Sequence, residues 1–230
     1  TDVIVACGGT DGTKLNDWVA NTQSVGWSQW EKLKPDLFNA LNDIKNTFGI
    51  NNINFTGQSL GGALAQYAAF EFFKDTRFQN FDGNKVTLTT FNGLGAKWGL
   101  TSSDGGKYSN AEVTAFEGKL GSATHYVVAN DLVSRLGGGH IGTSGNIVYL
   151  DWNYAGGEFR SNRMDIVDAH RIETAFYTHL DSRALALEGQ LVNETVLTIA
   201  NPDKTTSKPF LINVPNAVKA AGAFGSFLND

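Results

Sequence analysis

Ile53-Asn54-Phe55-Thr56-Gly57-Gln58-Ser59-Leu60-Gly61-Gly62-Ala63-Leu64-Ala65 is the stretch on which the reading of this chain turns. Its first four residues form a short β-prone run. Its end opens residues 63–73, which are rich in Ala, Leu and Phe and too apolar to lie in solvent as a helix. Between them, Gly57-Gln58-Ser59-Leu60-Gly61 fits the G-x-S-x-G pattern. A serine on a sharp strand-to-helix turn projects its hydroxyl from the sheet edge, and the flanking glycines leave room for neighbouring strand and helix. The five-residue pattern alone is weak in a chain with 26 glycines. The strand before it and the helix after it supply the context the motif requires.

Outward from this point the chain alternates. Residues 3–7, Val3-Ile4-Val5-Ala6-Cys7, read as a buried strand that ends in the loop Gly8-Gly9-Thr10-Asp11-Gly12. Apolar residues at Trp30, Leu33, Leu37, Leu41, Ile44 and Phe48 recur at spacings of three and four, which predicts an amphipathic helix over residues 27–48. Pro35 lies inside it as a point of bending, and Gly49 follows as a stop. Residues 85–91, 125–129 and 147–150 read as strands. Residues 168–187 read as a helix, 192–200 as β-prone, and 214–227 as a helix weakened by Gly222 and Gly225. Strands alternating with helices predict a mainly parallel sheet covered by helices on both faces. No repeat, low-complexity linker or boundary divides the chain, so residues 1–230 are expected to form one α/β domain.

Composition narrows the partners. The 230 residues are 41% hydrophobic and 18% charged, with a net charge of -5, so no basic footprint for nucleic acid exists. The same balance disfavours strong recruitment to anionic lipid. The lone Cys7 forms no intramolecular disulfide and reads as a small buried hydrophobe. No apolar run approaches the ~20 residues a membrane span needs. The chain enters a strand almost at Thr1, so upstream sequence is expected to be missing. His and carboxylate residues lack ligand spacing, so neither a metal nor a cofactor is expected.

A serine nucleophile needs a base, and the base needs an orienting carboxylate. Four histidines are available. His125 lies in a β-run and reads as a packed strand residue. His140 follows three glycines and is placed to line a site. His170 and His179 come late, as the order serine, acid, histidine asks. His170 stands at a loop-to-helix junction beside Asp168, whereas His179 falls mid-helix, so His170 is favoured. Among acids, Asp131 follows the strand at residues 125–129, at the carboxyl edge where parallel sheets build their sites. Asp151, Asp165 and Asp168 compete with it. An oxyanion needs two donors: the backbone N–H of Leu60, after the serine, and one from the Gly8-Gly9-Thr10 loop.

At these residues the chain resembles the class 3 lipase family of α/β-hydrolases. Thr56-Gly57-Gln58-Ser59-Leu60-Gly61-Gly62-Ala63-Leu64-Ala65 is similar to that family's T-G-H-S-L-G-G-A-L-A. Val3-Ile4-Val5-Ala6-Cys7-Gly8-Gly9-Thr10 resembles its V-x-V-A-F-R-G-T, and Asp17-Trp18 also recurs there. Thr89-Thr90-Phe91-Asn92-Gly93 is similar to the strand and turn that follow. Asn130-Asp131-Leu132-Val133-Ser134-Arg135-Leu136 resembles N-D-P-V-P-R-L, and His170-Arg171-Ile172-Glu173-Thr174 a His-containing helix start of bacterial members. The likeness spans roughly residues 3–180. Gly8 stands where the family has Arg, Gln58 where it has His, and Leu132 and Ser134 where it has Pro.

The resemblance implies an α/β-hydrolase fold with Ser59 as nucleophile, Asp131 as acid, His170 as base, and Thr10 with Leu60 as oxyanion donors. It implies a secreted bacterial protein or domain, of the lipase or phospholipase A1 kind, that hydrolyses carboxylic esters of lipids. A movable lid is expected over residues 11–21, carrying Leu15, Trp18 and Val19 and touching a lipid interface transiently; a fixed surface helix is the plainer alternative. Two other functions remain open: an esterase of soluble or aromatic, feruloyl-type esters, and a non-catalytic binding protein on a hydrolase fold.

Overall fold

Alternation of side chains across the pleat decides how the sheet is buried. In the strand Val86–Phe91, Val86, Leu88 and Thr90 are buried while Thr87, Thr89 and Phe91 are half-buried. Register aligns this pattern across neighbours: Val5, Phe55, Leu88 and Ala123 sit side by side. One face is therefore an apolar surface. The other carries Asn54, Thr87, Thr89 and Thr124, with the Asn54 amide donating to Thr87 Oγ1 at 2.6 Å.

The computed structural model describes residues 1–9, 25–128, 131, 133–142, 147–150, 170, 197–199 and 210–212. Their order is β1 (Asp2–Cys7), α1 (Trp27–Phe48), β2 (Asn52–Gln58), α2 (Leu60–Phe72), β3 (Val86–Phe91), α3 (Lys97–Thr101), α4 (Asn110–Glu117), β4 (Ser122–Val128), β5 (Ile147–Leu150), β6 (Leu197–Ile199) and β7 (Phe210–Ile212). β1 to β5 form one parallel sheet in chain order, and β6 pairs with β7 antiparallel. This is an α/β architecture with an all-parallel main sheet. Strands that advance in one direction through right-handed crossovers send their connections to the same face. The packing agrees: α2 lies against β1, β2, β3 and α1, and Phe72 of α2 meets Phe55 of β2 edge to face at 5.6 Å. Helices on the second face, the other half of the sequence-based expectation, are not found among the described residues.

α1 runs unbroken through Pro35 and stops at Gly49, whose N–H donates to the Lys45 carbonyl at 3.0 Å. Its buried stripe differs from the predicted one. Trp27, Trp30, Phe38 and Leu41 are buried, whereas Leu33 is exposed and Phe48 is 69% exposed. The centre of the true stripe includes Lys34, whose ammonium pairs with the buried carboxylate of Glu71 on α2. A charged residue at the middle of the buried face shifted the apparent apolar periodicity by part of a turn.

Every residue of α2 is buried, as its composition predicts. α3 and α4 were not predicted. α4 carries a capping box: Ser109 Oγ accepts from the Glu112 N–H, and the Glu112 carboxylate accepts from the Ser109 N–H, which satisfies two end donors reciprocally. The helices expected at residues 168–187 (His170 apart) and 214–227 lie outside the described residues. Of the β-prone run at 192–200, residues 197–199 form β6. Among the described residues no helix is long and apolar enough to cross a membrane.

Candidate active site

β2 ends at Gln58 and α2 begins at Leu60, so Ser59 alone makes the turn between them. It does so at φ 56 and ψ -128, a conformation an L-residue adopts only under tertiary constraint. The constraint is visible. The Ser59 carbonyl accepts from the N–H groups of Gly62 and Leu94, each at 3.0 Å, and its N–H donates to the Phe91 carbonyl at 3.4 Å. The two motif glycines are sterically required. A Cβ on Gly57 would stand 2.2 Å from the Gly61 carbonyl oxygen, and one on Gly61 would stand 2.0 Å from that of Cys7.

The Ser59 hydroxyl is not a helix cap; it faces His170 Nε2 at 2.7 Å. On the far side of the ring, Nδ1 lies 3.1 Å from both carboxylate oxygens of Asp131. The structure thus brings Ser59, His170 and Asp131 into one line, all three buried. Asp131 follows β4 and is fixed locally: Oδ1 accepts from the Val133 N–H at 2.9 Å, and the Asp131 N–H donates to the Val128 carbonyl at 2.9 Å. The Ser134 hydroxyl donates to the Asp131 carbonyl at 3.1 Å. Ser134 therefore closes this turn with a hydrogen bond where the resembled family uses proline.

An imidazole that donates Nδ1–H to a carboxylate presents Nε2 as an acceptor, and Nε2 can take the serine proton. The N–H of Leu60 opens α2 at its positive end, where the first donors of a helix have no intrahelical partner. Gly9 borders the Ser59 side chain: a Cβ there would meet Ser59 Cβ at 3.3 Å. Thr10, Leu15, Trp18 and Val19 lie outside the described residues, as do His179, Asp151, Asp165 and Asp168.

The other two described histidines stack on each other behind this site. The rings of His125 and His140 are 4.3 Å apart and inclined by 19°. His125 bonds to Thr90 Oγ1 at 2.7 Å and to the Ile141 carbonyl at 3.0 Å. Burial, reinforced by the neighbouring His140, pushes its pKa down to about 3. Burial lowers His140 to about 4, opposed by the Ser134 main chain and the Asp131 charge. Both rings are neutral near pH 7. His140, read from sequence as able to line the site, is 6% exposed, packs against His125 and feels the Asp131 charge. Burial alone pushes the Cys7 thiol up to about 12, as suits an inert core residue.

Three positioning side chains escaped the sequence reading. Gln66 of α2 donates to the carbonyls of Gly62 at 2.9 Å and Leu94 at 2.7 Å, and accepts from the Ile141 N–H at 3.0 Å. A single amide in a mostly apolar helix is its only signal. Asn92 and Gln58 both reach the His170 main chain; both lie within the quoted motifs, but nothing in those motifs signals this contact. Among the described residues no three His, Cys, Asp or Glu side chains gather as they would around a metal ion. No family model, no curated protein and no solved structure matches the chain.

Proposed function

We propose that this chain is a serine hydrolase of carboxylic esters, built on the α/β-hydrolase fold, that acts through an acyl-enzyme on Ser59. One observation carries the reading: His170 Nε2 stands 2.7 Å from Ser59 Oγ while its Nδ1 stands 3.1 Å from both oxygens of buried Asp131. Serine on a bend at φ 56 supports it, because strained backbone clusters at functional sites.

The geometry supports a two-step acyl transfer. His170 Nε2 takes the hydroxyl proton as Ser59 Oγ attacks the ester carbonyl carbon. The resulting oxyanion is held by the Leu60 N–H at the head of α2, with a second donor expected from the Gly8-Gly9-Thr10 loop. When the tetrahedral intermediate collapses, the alcohol leaves with the proton from His170. Water then repeats the sequence and releases the acid. Asp131 orients the ring and offsets its transient positive charge.

The resemblance favours acyl esters of lipids, as triacylglycerol or phospholipid, over soluble or aromatic esters. Comparing rates below and above the aggregation point of one ester separates the two. Ser59→Ala tests the mechanism. Turnover of a chromogenic ester is expected to fall by about 10³-fold or more, with an unchanged melting transition and no labelling by a fluorophosphonate. Retained turnover in that variant removes the mechanism. An unlabelled Ser59 in the wild type favours a binding protein instead.

A further inference from the structure

Two side chains beside the bend leave the Ser59 hydroxyl alone and hold the main chain of His170. Gln58 Nε2 donates to the His170 carbonyl at 2.9 Å. Asn92 Nδ2 approaches the same oxygen at 3.4 Å. A carbonyl oxygen has two lone pairs and accommodates both donors.

Gln58 ends β2, next to Ser59. Asn92 follows β3 at φ 44, fully buried. Its N–H donates to the Tyr126 carbonyl at 2.8 Å, and its Oδ1 accepts from the Val128 N–H at 2.8 Å. The His170 carbonyl is thus pinned to the ends of β2, β3 and β4, the same edge that carries Ser59 and Asp131.

We propose that Gln58 and Asn92 form a carbonyl clamp: positioning residues that fix where the His170 ring stands between Ser59 and Asp131. The proposal rests on the reading of Ser59 as nucleophile. His170 is 111 residues from Ser59 in the chain, so tertiary contacts bring it to the bend. The hold that Ser59 exerts on Nε2 disappears when the hydroxyl becomes an acyl ester. The clamp grips an oxygen that takes part in no proton transfer, so it persists through acylation and deacylation. An amide N–H₂ also stays a donor at every working pH, which an imidazole does not.

The test measures kcat and KM on a soluble chromogenic ester for the full chain, with Gln58→Ala and Gln58→Glu beside the wild type. Gln58→Ala is expected to lower kcat by about tenfold to a hundredfold, because small displacements of a reacting group cost that much, with KM within about twofold. Gln58→Glu is close to isosteric and separates positioning from folding. Its protonated carboxyl donates to the His170 carbonyl, and its carboxylate repels it. The ratio of its kcat to that of Gln58→Ala is therefore expected to fall as pH rises through the carboxylic range. Wild-type kcat in Gln58→Ala, or a ratio flat with pH, overturns the clamp. Should Gln58→Ala fail to fold, the pH dependence of Gln58→Glu against wild type decides alone. An active wild type that labels at Ser59, with Gln58→Ala unaffected, removes the clamp only. A wild type that neither turns over ester nor labels removes the hydrolase reading, and the clamp with it.

Discussion

Gly62 lies so near Gly93 that a Cβ on the first would stand 2.5 Å from the Cα of the second. The first turn of α2 thus packs backbone to backbone on the loop after β3, and this contact brings the Leu94 N–H onto the Ser59 carbonyl. Gly62→Ala forces the two segments apart. The expected cost is about 1–3 kcal/mol, the usual range for overpacking, with ester turnover falling as the bend relaxes. Urea unfolding of the variant checks the first part; an unchanged midpoint refutes it.

Asp131→Asn keeps the shape and removes the charge. An amide there offers Nδ1 a donor as readily as an acceptor, so the tautomer with Nε2 facing Ser59 loses its support. A fall in kcat of about 10³–10⁴-fold is expected, with folding retained because the Val133 N–H keeps an oxygen acceptor. Turnover within tenfold of wild type would mean that Asp131 does not orient His170.

The stacked pair His125 and His140 makes the fold acid-sensitive. Both have folded-state pKa values depressed by burial, to about 3 and about 4, against an ordinary value near 6.5. The unfolded chain therefore binds protons that the folded chain refuses. Their stabilising contribution is whole above about pH 6.5 and is lost as pH falls to about 4 for His140 and about 3 for His125. The slope has an upper limit of about 1.4 kcal/mol per pH unit for each ring. His140→Phe keeps a stacking ring and removes one titration. Urea midpoints from pH 7 to 4.5 are expected to fall less steeply in that variant, and parallel slopes would contradict this.

Tyr108 donates its hydroxyl to Glu71 Oε1 at 2.5 Å, while Lys34 pairs with the other oxygen. Burial first, then the Glu71 carboxylate, hold the Tyr108 hydroxyl protonated well beyond its ordinary range. Tyr108→Phe leaves the buried Glu71 one donor short. The expected loss is about 1.5–3 kcal/mol, as for hydrogen bonds to charged groups, read from chemical denaturation with ester turnover unchanged.

Sequence carried the elements where chemistry is local. β2, the turn at Ser59 and α2 were legible because a β-prone run, two obligatory glycines and an apolar helix follow in order. Cys7 and His125 were read as core residues, and both are buried. The buried stripe of α1 departs from the apolar one because Lys34 occupies its centre and is paired with Glu71, far along the chain. The capping box at Ser109 and Glu112 was a local signal for α4 that passed unread.

By itself, the sequence determined that strands and helices alternate, that Ser59 sits between two residues that cannot carry a Cβ, and that Asp131 and His170 are the favoured partners. Tertiary structure alone decided the distances: His170 at 2.7 Å from Ser59, Asp131 at 3.1 Å behind it, and Gln58 and Asn92 on the His170 carbonyl. The reason is physical. Propensity, periodicity and steric exclusion act over a few residues and leave a local trace. Hydrogen bonds between strand ends depend on sheet order and register, which are settled only when the whole apolar face packs at once.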